Sequence, residues 1–343
     1  MKAAVFHEPN KPMTIEDIKE PTPGPDDLIL KVRNCGICGT DLHMTKQSSM
    51  TVPPNTVMGH EFSGEVYEVG KNLKGAGSDW KVGMAACALP VLGCGTCMPC
   101  LEGRALACVE MDYIGIGHHH GAYAEFVRVR ANDSFILPEA VSYRQGALVE
   151  PLSVGLHSIH MAKLPPRANV LIIGAGPIGL AIALWARFFG VRNIVVSERA
   201  PDRIKMASKF GATAVIDPEL PLNEQFKKET GTDPDVIFEC VGIPGMLDIC
   251  IENAPLGGKI MGVGVCDQPD TFIPAQALFK ELQMQYVLGY RKQDFSFIID
   301  MFNRGRLDAL SMITDIVSFD GFADAFDALR TPGHQCKVML EIS

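Results

Sequence analysis

The chain has 343 residues, 47% of them hydrophobic, with 33 glycines and a formal net charge of −9. That length carries two ordinary domains, and the composition fits a globular α/β protein with a sizeable core. The negative balance excludes non-specific binding to nucleic acid or to an anionic membrane, and no apolar run nears the roughly 20 residues that span a bilayer.

The opening Met1-Lys2-Ala3-Ala4-Val5-Phe6-His7-Glu8-Pro9 is too polar for a signal peptide. The 11 cysteines therefore read as metal ligands and buried small hydrophobes in a reducing cytoplasm. Residues 1 to about 150 predict short strands between Gly- and Pro-rich turns, clearest at 28–32, 64–70 and 123–129, in a compact, partly closed β domain. Within it, Cys35-Gly36-Ile37-Cys38-Gly39-Thr40-Asp41-Leu42-His43 supplies thiol, hydroxyl and imidazole at close spacing. Gly59-His60-Glu61 adds an imidazole and a carboxylate, and Val149-Glu150-Pro151-Leu152-Ser153 adds another acid. By spacing alone each fragment is ambiguous, because a lone cysteine is usually core and a lone histidine usually a satisfied polar group.

Gly93-Cys94-Gly95-Thr96-Cys97-Met98-Pro99-Cys100, closing with Cys108, is more specific. Thiols at C-x2-C-x2-C-x7-C can turn inward on one tetrahedral ion, as in closed structural zinc sites. The same gaps suit an iron–sulfur cluster. The run His118-His119-His120 invites a third metal site, but consecutive side chains in an extended loop point different ways, so it reads as surface loop. Cys240, Cys250, Cys266 and Cys336 lack ligand spacing and read as core.

From about residue 165 the pattern becomes strand–helix alternation. Strands are predicted at 169–173, 193–197, 214–216, 235–239 and 259–263, with an apolar helix at 180–189. Continuous apolar strands between helices imply a parallel sheet covered on both faces. Gly174-Ala175-Gly176-Pro177-Ile178-Gly179 is G-x-G-x-x-G between a strand and a helix. Its first glycine makes the tight turn, its second admits a pyrophosphate, and its third lets helix and strand pack closely. Glu198, 19 residues past Gly179, stands where a carboxylate would take the adenosine ribose hydroxyls. A 2′-phosphate there would meet like charge, which favours NAD over NADP, although Arg199 and Arg203 stand nearby. Val263, Gly264 and Val265 complete the cofactor-binding set with Arg203. After about 290 the chain predicts a helix at 295–304 and a terminal strand at 336–340, without a further βαβ unit.

In order, C-G-I-C-G-T-D, G-H-E-F-S-G, the four-cysteine lobe, E-P-L-S-V and G-A-G-P-I-G resemble the zinc-dependent medium-chain alcohol dehydrogenases, closest to the sorbitol, butanediol and threonine dehydrogenase branch. The resemblance spans nearly the whole chain. It implies a GroES-like β-rich catalytic domain (residues 1–150 and 291–343) and a Rossmann doubly wound domain (151–290). It implies two zinc ions: a structural one on Cys94, Cys97, Cys100 and Cys108, and a catalytic one among Cys38, His60 and Glu61. Glu150 then either joins the catalytic metal or holds its water, and Cys35 is packing.

The implied chemistry is hydride transfer between a secondary alcohol or vicinal diol and NAD. Zinc lowers the pKa of the bound alcohol, and the alkoxide gives hydride to the nicotinamide. Thr40 and His43 resemble the proton relay, and Asp41 the acid that orients a histidine ligand. Met44, where polyol dehydrogenases carry Tyr, and Leu288-Gly289-Tyr290, where they tend to carry Arg, imply a less polar alcohol. Pro90-Val91-Leu92 lacks the histidine frequent in threonine dehydrogenases. The other readings are an NADP-preferring ketone reductase and a catalytically inactive binding relative. A homo-oligomer is expected, with a tetramer favoured over a dimer by the resemblance.

Overall fold

The computed structural model describes residues 1–46, 50–74, 79–331 and 333–343. The chain divides into two compact units, Met1–Glu150 with Arg291–Ser343, and Pro151–Tyr290.

The first unit begins with β1 (Lys2–Phe6), β2 (Thr14–Asp17), β3 (Asp27–Gly36), helix α1 (Gly39–Met44), β4 (Thr56–Val57) and β5 (Glu61–Val69). Next come β6 (Ala85–Ala88), β7 (Val91–Leu92), helix α2 (Met98–Leu101), β8 (Asp112–Tyr113), β9 (Phe126–Arg130) and β10 (Ser134–Ile136). Helix α3 (Tyr143–Ala162) carries Pro151 in its interior. No helix is expected here from local propensity, because Pro removes an amide donor and usually ends one.

The second unit alternates as its apolar strands predict: β11 (Asn169–Ile173), α4 (Pro177–Phe188), β12 (Asn193–Ser197), α5 (Pro201–Lys209), β13 (Ala214–Ile216) and α6 (Leu222–Thr230). β14 (Val236–Glu239), α7 (Met246–Asn253), β15 (Lys259–Gly262), α8 (Pro274–Phe279) and β16 (Gln283–Tyr286) complete it. The tail adds α9 (Lys292–Asn303), β17 (Ile313–Val317), α10 (Phe319–Ala328) and β18 (Lys337–Glu341).

Strand β3 organises the first unit. It is ten residues long and buries alternate apolar side chains on one core. One edge pairs with β5 throughout. The other pairs with β9 over residues 27–31 and with β18 over residues 34–36, so the returning tail lies antiparallel beside the Cys35-Gly36 end. Leu28, Leu30, Val32, Phe62, Val66, Val127, Val338 and Leu340 form the core between these strands.

In the second unit six parallel strands run in the order β13-β12-β11-β14-β15-β16. The strand order reverses between β11 and β14, the point where open α/β sheets bind ligands at their carboxyl ends. Both faces of β11 are buried, and α4 is apolar nearly all round, with Trp185 fully enclosed and its indole N–H donating to Leu152 O at 2.9 Å. Among the described residues no helix is long and apolar enough to cross a membrane.

Candidate active site

The register of three strands builds the first cluster. Gly36, at the end of β3, lies opposite Glu61 on β5 and Met339 on β18. Cys38 therefore leaves β3 where His60 and Glu61 enter β5. A ligand atom from each of Cys38, His60 and Glu61 lies within 4.8 Å of the other two. Gly36 is required here, since a Cβ would collide with the Glu61 carboxylate and press on Lys337. Gly59 is required for a second reason: its φ is +95°, and a Cβ would meet the Tyr123 ring at 2.6 Å.

Charged and polar groups hold the cluster from behind. His60 Nδ1 stands 3.3 Å from Asp41 Oδ1. The other Asp41 oxygen accepts the Tyr123 hydroxyl at 2.6 Å and the Cys38 amide at 3.0 Å. Tyr123 is fully buried, with Phe322 and Phe326 of α10 at ring distances of 4.7 and 6.4 Å. Burial opposes a charge on His60, but the Asp41 carboxylate and Cys38 sulfur hold the imidazolium well above its ordinary range. A metal therefore has to displace that proton to use the ring.

Lys337 is one residue whose part in the site was not legible in the sequence. Its Nζ donates to both Glu61 oxygens at 2.7 Å and to Ile37 O at 3.0 Å, and lysine and glutamate are both almost wholly enclosed. Burial opposes its charge, yet Glu61 and Cys38 hold its pKa above the usual lysine range. Each carboxylate oxygen has a further lone pair, so Glu61 can serve lysine and a cation together. Breaking such a buried pair costs about 3–5 kcal/mol, because one charge is stranded. Lys337→Met should therefore lower the stability of the metal-free protein by roughly that much, with added Zn²⁺ stabilising the variant more than the wild type. Urea unfolding with and without zinc measures both, and unchanged metal-free stability would remove the pair from the account.

Helix α1 carries the other expected site residues. Thr40 and His43 are half-buried and three apart, which puts them on one face of the helix, while Asp41 is buried. Arg330 donates to Leu42 O at 3.2 Å and Thr45 Oγ1 at 2.9 Å, pinning the helix's carboxyl end. Glu150 is buried on α3 and is not one of the three residues that meet. Cys35 is wholly buried within β3.

The second cluster is local. One sulfur each from Cys94, Cys97, Cys100 and Cys108 lies within 4.8 Å of the others. Cys94 and Cys100 are 4.0 Å apart, close to the roughly 3.8 Å edge of a tetrahedron with 2.3 Å zinc–sulfur bonds. Peptide amides point at the sulfurs: Cys97 N–H to Cys94 at 3.3 Å, and the Cys94 and Glu110 amides to Cys108 at 3.3 and 3.4 Å. Donors from Thr96 and Cys97 hold the Cys94 thiol down to about 6. The Cys100 amide favours the Cys97 thiolate, but burial and the other three sulfurs push that thiol up to about 12. Four sulfurs so close cannot all ionise without a cation among them, so the donor set fits a zinc ion.

The glycine motif behaves as its spacing predicts. Gly174 has φ +98°, and a Cβ on Gly179 would strike the Gly174 carbonyl. Gly176 caps α4 and faces open space, which is room that a phosphate can use and a Cβ would fill. Pro177 and Ile178 open the helix, one turn earlier than the sequence suggested. Glu198 follows β12, and its carboxylate accepts the amides of Ala175 at 3.0 Å, Arg199 at 2.8 Å and Ala200 at 2.9 Å. Arg199 is exposed and Arg203 half-buried on α5. After β15, the amides of Val263 and Gly264 both donate to Glu239 O at 2.9 Å, and Val265 is exposed beyond them. Glu239, a buried carboxylate ending β14 whose Oε1 accepts the Val241 and Gly242 amides at 2.7 and 2.9 Å, went unnoticed in the sequence.

Two family models match the chain: the alcohol dehydrogenase GroES-like domain over residues 24–139 and the zinc-binding dehydrogenases over residues 177–304. The sorbitol dehydrogenase of Bacillus subtilis strain 168 is 32% identical, over 99% of this chain and 97% of that protein. The chain belongs to the zinc-dependent medium-chain alcohol dehydrogenases. Two solved structures share the fold of this alcohol dehydrogenase. One, from Sinorhizobium meliloti 1021, is described as a zinc-binding dehydrogenase bound to NADP; it matches at TM-score 0.88 and 30% identity over 99% of both chains. The other, from Escherichia coli CFT073, is described as a short chain alcohol dehydrogenase complexed with NADH. It matches at TM-score 0.89 and 28% identity over 100% of this chain and 99% of that one. The GroES-like β-rich and Rossmann architecture expected from the sequence is thus shown, and so are dehydrogenase chemistry, zinc and a nicotinamide cofactor as family properties.

Proposed function

We propose that this dehydrogenase transfers hydride between a secondary alcohol or vicinal diol and NAD, at a zinc held by Cys38, His60 and Glu61. The observation that carries the reading is the meeting of those three donors, with Asp41 braced against His60. When bound, zinc supplies a Lewis acid that makes a substrate hydroxyl easier to deprotonate. Thr40 takes a hydrogen bond from that hydroxyl, and His43 passes the proton outward. Asp41 holds the His60 ring, and Lys337 fixes the Glu61 carboxylate by donating to both its oxygens. The departures at Met44 and Leu288-Gly289-Tyr290 favour a substrate with few hydroxyls. In this reading a second zinc sits in the four-cysteine lobe, and Glu150 acts from outside the three-donor cluster.

His43→Gln tests the proton path. It should slow alcohol oxidation most below neutral pH, by roughly 10²-fold or less because solvent replaces part of the relay. Added imidazole buffer should restore part of the rate. An unchanged pH profile and buffer dependence would remove His43 from the path and leave the metal assignment standing.

Cofactor choice rests on Glu198, whose charge opposes a 2′-phosphate. Hydrogen bonds to charged groups contribute roughly 1.5–3 kcal/mol, so Glu198→Ala should weaken NAD binding about tenfold or more. Since Glu198 also ties the Ala175 amide of the glycine loop, NADP should gain less than the removed repulsion alone suggests. NADH fluorescence titration reads the effect, and an unchanged affinity would show that Glu198 does not hold the ribose. The alternative, an NADP-preferring ketone reductase, is favoured by the NADP-bound relative and by Arg199 and Arg203; turnover with NADH and NADPH at equal concentration separates the two.

A homo-oligomer in the cytoplasm completes the proposal. Edge strand β16 has exposed Tyr286, with exposed Leu278, Phe279 and Leu288 nearby in sequence, which supports self-association.

A further inference from the structure

Of the three consecutive histidines, His120 is turned away to the chain, its Nδ1 accepting the Val57 amide at 3.3 Å. His118 and His119 instead meet Asp112. That aspartate ends the pairing of β7 with β8, opposite Leu92, and the chain then turns so that His118 and His119 come back upon it. Asp112 Oδ1 accepts the amides of Tyr113 at 2.7 Å and His118 at 3.2 Å, which fixes the carboxylate. Its free-facing Oδ2 stands 3.4 Å from His118 Nδ1 and 3.5 Å from His119 Nε2. Two ligand atoms on a tetrahedral ion with bonds of about 2.1 Å are separated by about 3.4 Å. Two imidazoles and one carboxylate are a donor set that suits a divalent transition metal, zinc above all.

We propose that Asp112, His118 and His119 form a third zinc site, separate from the two cysteine-containing clusters. Unlike those clusters, its three donors are not yet all within 4.8 Å of one another. The His118 side chain is 89% exposed and so has room to turn, whereas His119 and Asp112 are 37% and 25% exposed and better fixed. The site's place in the fold has a consequence. The loop it closes continues into Gly121, Ala122 and Tyr123, whose amides donate to Val57 O, Gly59 O and Met58 O at 2.7, 2.9 and 2.9 Å. Those acceptors lead directly into His60. An ion on Asp112, His118 and His119 would therefore fasten the two ends of the loop that braces the His60 strand.

The test compares the zinc-loaded full chain with the double variant His118→Ala/His119→Ala, each equilibrated with excess Zn²⁺ and freed of unbound ion by gel filtration. Elemental analysis should find one zinc per chain fewer in the variant, whatever the count at the other two sites. Excess Zn²⁺ should also raise the melting temperature of the wild type above that of the variant, since a ion that binds only the folded state stabilises it. The single variant His118→Ala, altered at a side chain that is 89% exposed, guards against a folding defect and should lose the same ion. Equal zinc content across all three proteins, or an equal response of melting temperature to Zn²⁺, would overturn the site.

Discussion

Cys38→Ala should abolish alcohol oxidation at every pH. The thiol lies beyond the end of β3, half-buried, with its sulfur within 4.8 Å of donor atoms on His60 and Glu61. Alanine leaves two protein donors, one of them a carboxylate already shared with Lys337. Two donors hold zinc poorly, and the Lewis acidity lost with it is worth several kcal/mol of transition-state stabilisation, about 10³-fold or more in rate. The pH independence of the loss is the distinguishing feature. His43→Gln should leave a rate that buffer can raise, whereas no buffer supplies a Lewis acid. Elemental analysis should show the lobe zinc retained and the other absent. Substantial turnover by Cys38→Ala with its zinc gone would mean that another site activates the alcohol.

Cys100→Ser should act on stability and leave the chemistry alone. The four-sulfur lobe is a short loop with one turn of helix α2 and little apolar core of its own; Met98 and Leu101 are exposed. Its shape depends on the ion, so metal-binding energy there is also folding energy, of the order of 10 kcal/mol in small zinc domains at neutral pH. Three remaining thiolates keep part of that, and the loss should show as several kcal/mol in urea unfolding together with zinc release from the lobe alone. Gly93, whose missing Cβ makes room for the Cys100 sulfur at 2.5 Å, shows how closely the chain is fitted to the sulfurs. Stability unchanged after loss of that ion would defeat the structural role.

The contrast between these variants follows what the sequence made legible. The cysteine lobe and the glycine motif were readable because their parts lie within 15 and 6 consecutive residues, so spacing alone specifies geometry. The parallel sheet was readable because strands buried on both faces are apolar without alternation. Cys38, His60 and Glu61 came from resemblance, and strand pairing between β3 and β5 supplies the physical reason they meet. Lys337 was out of reach of either argument. It sits 276 positions from Glu61 and arrives only because β18 returns antiparallel to β3. The signal available was a lone lysine at the head of an apolar strand, where a buried charge needs a partner. Tyr123 and Asp112 were hidden in the same way: each acts through a contact set by loop packing. The helix through Pro151 was missed because local propensity argued against it and tertiary burial prevailed.

The central claim, an alcohol dehydrogenase that needs metal at Cys38, His60 and Glu61, is tested most directly by NADH production from a panel of secondary alcohols and vicinal diols. The assay is run on the zinc-loaded protein, after chelation, and after zinc is restored. The account predicts NADH formation with at least one secondary alcohol or diol, loss of that activity when zinc leaves the Cys38 cluster, and recovery when zinc returns. NADH formation that continues unchanged with that cluster stripped of metal would contradict it.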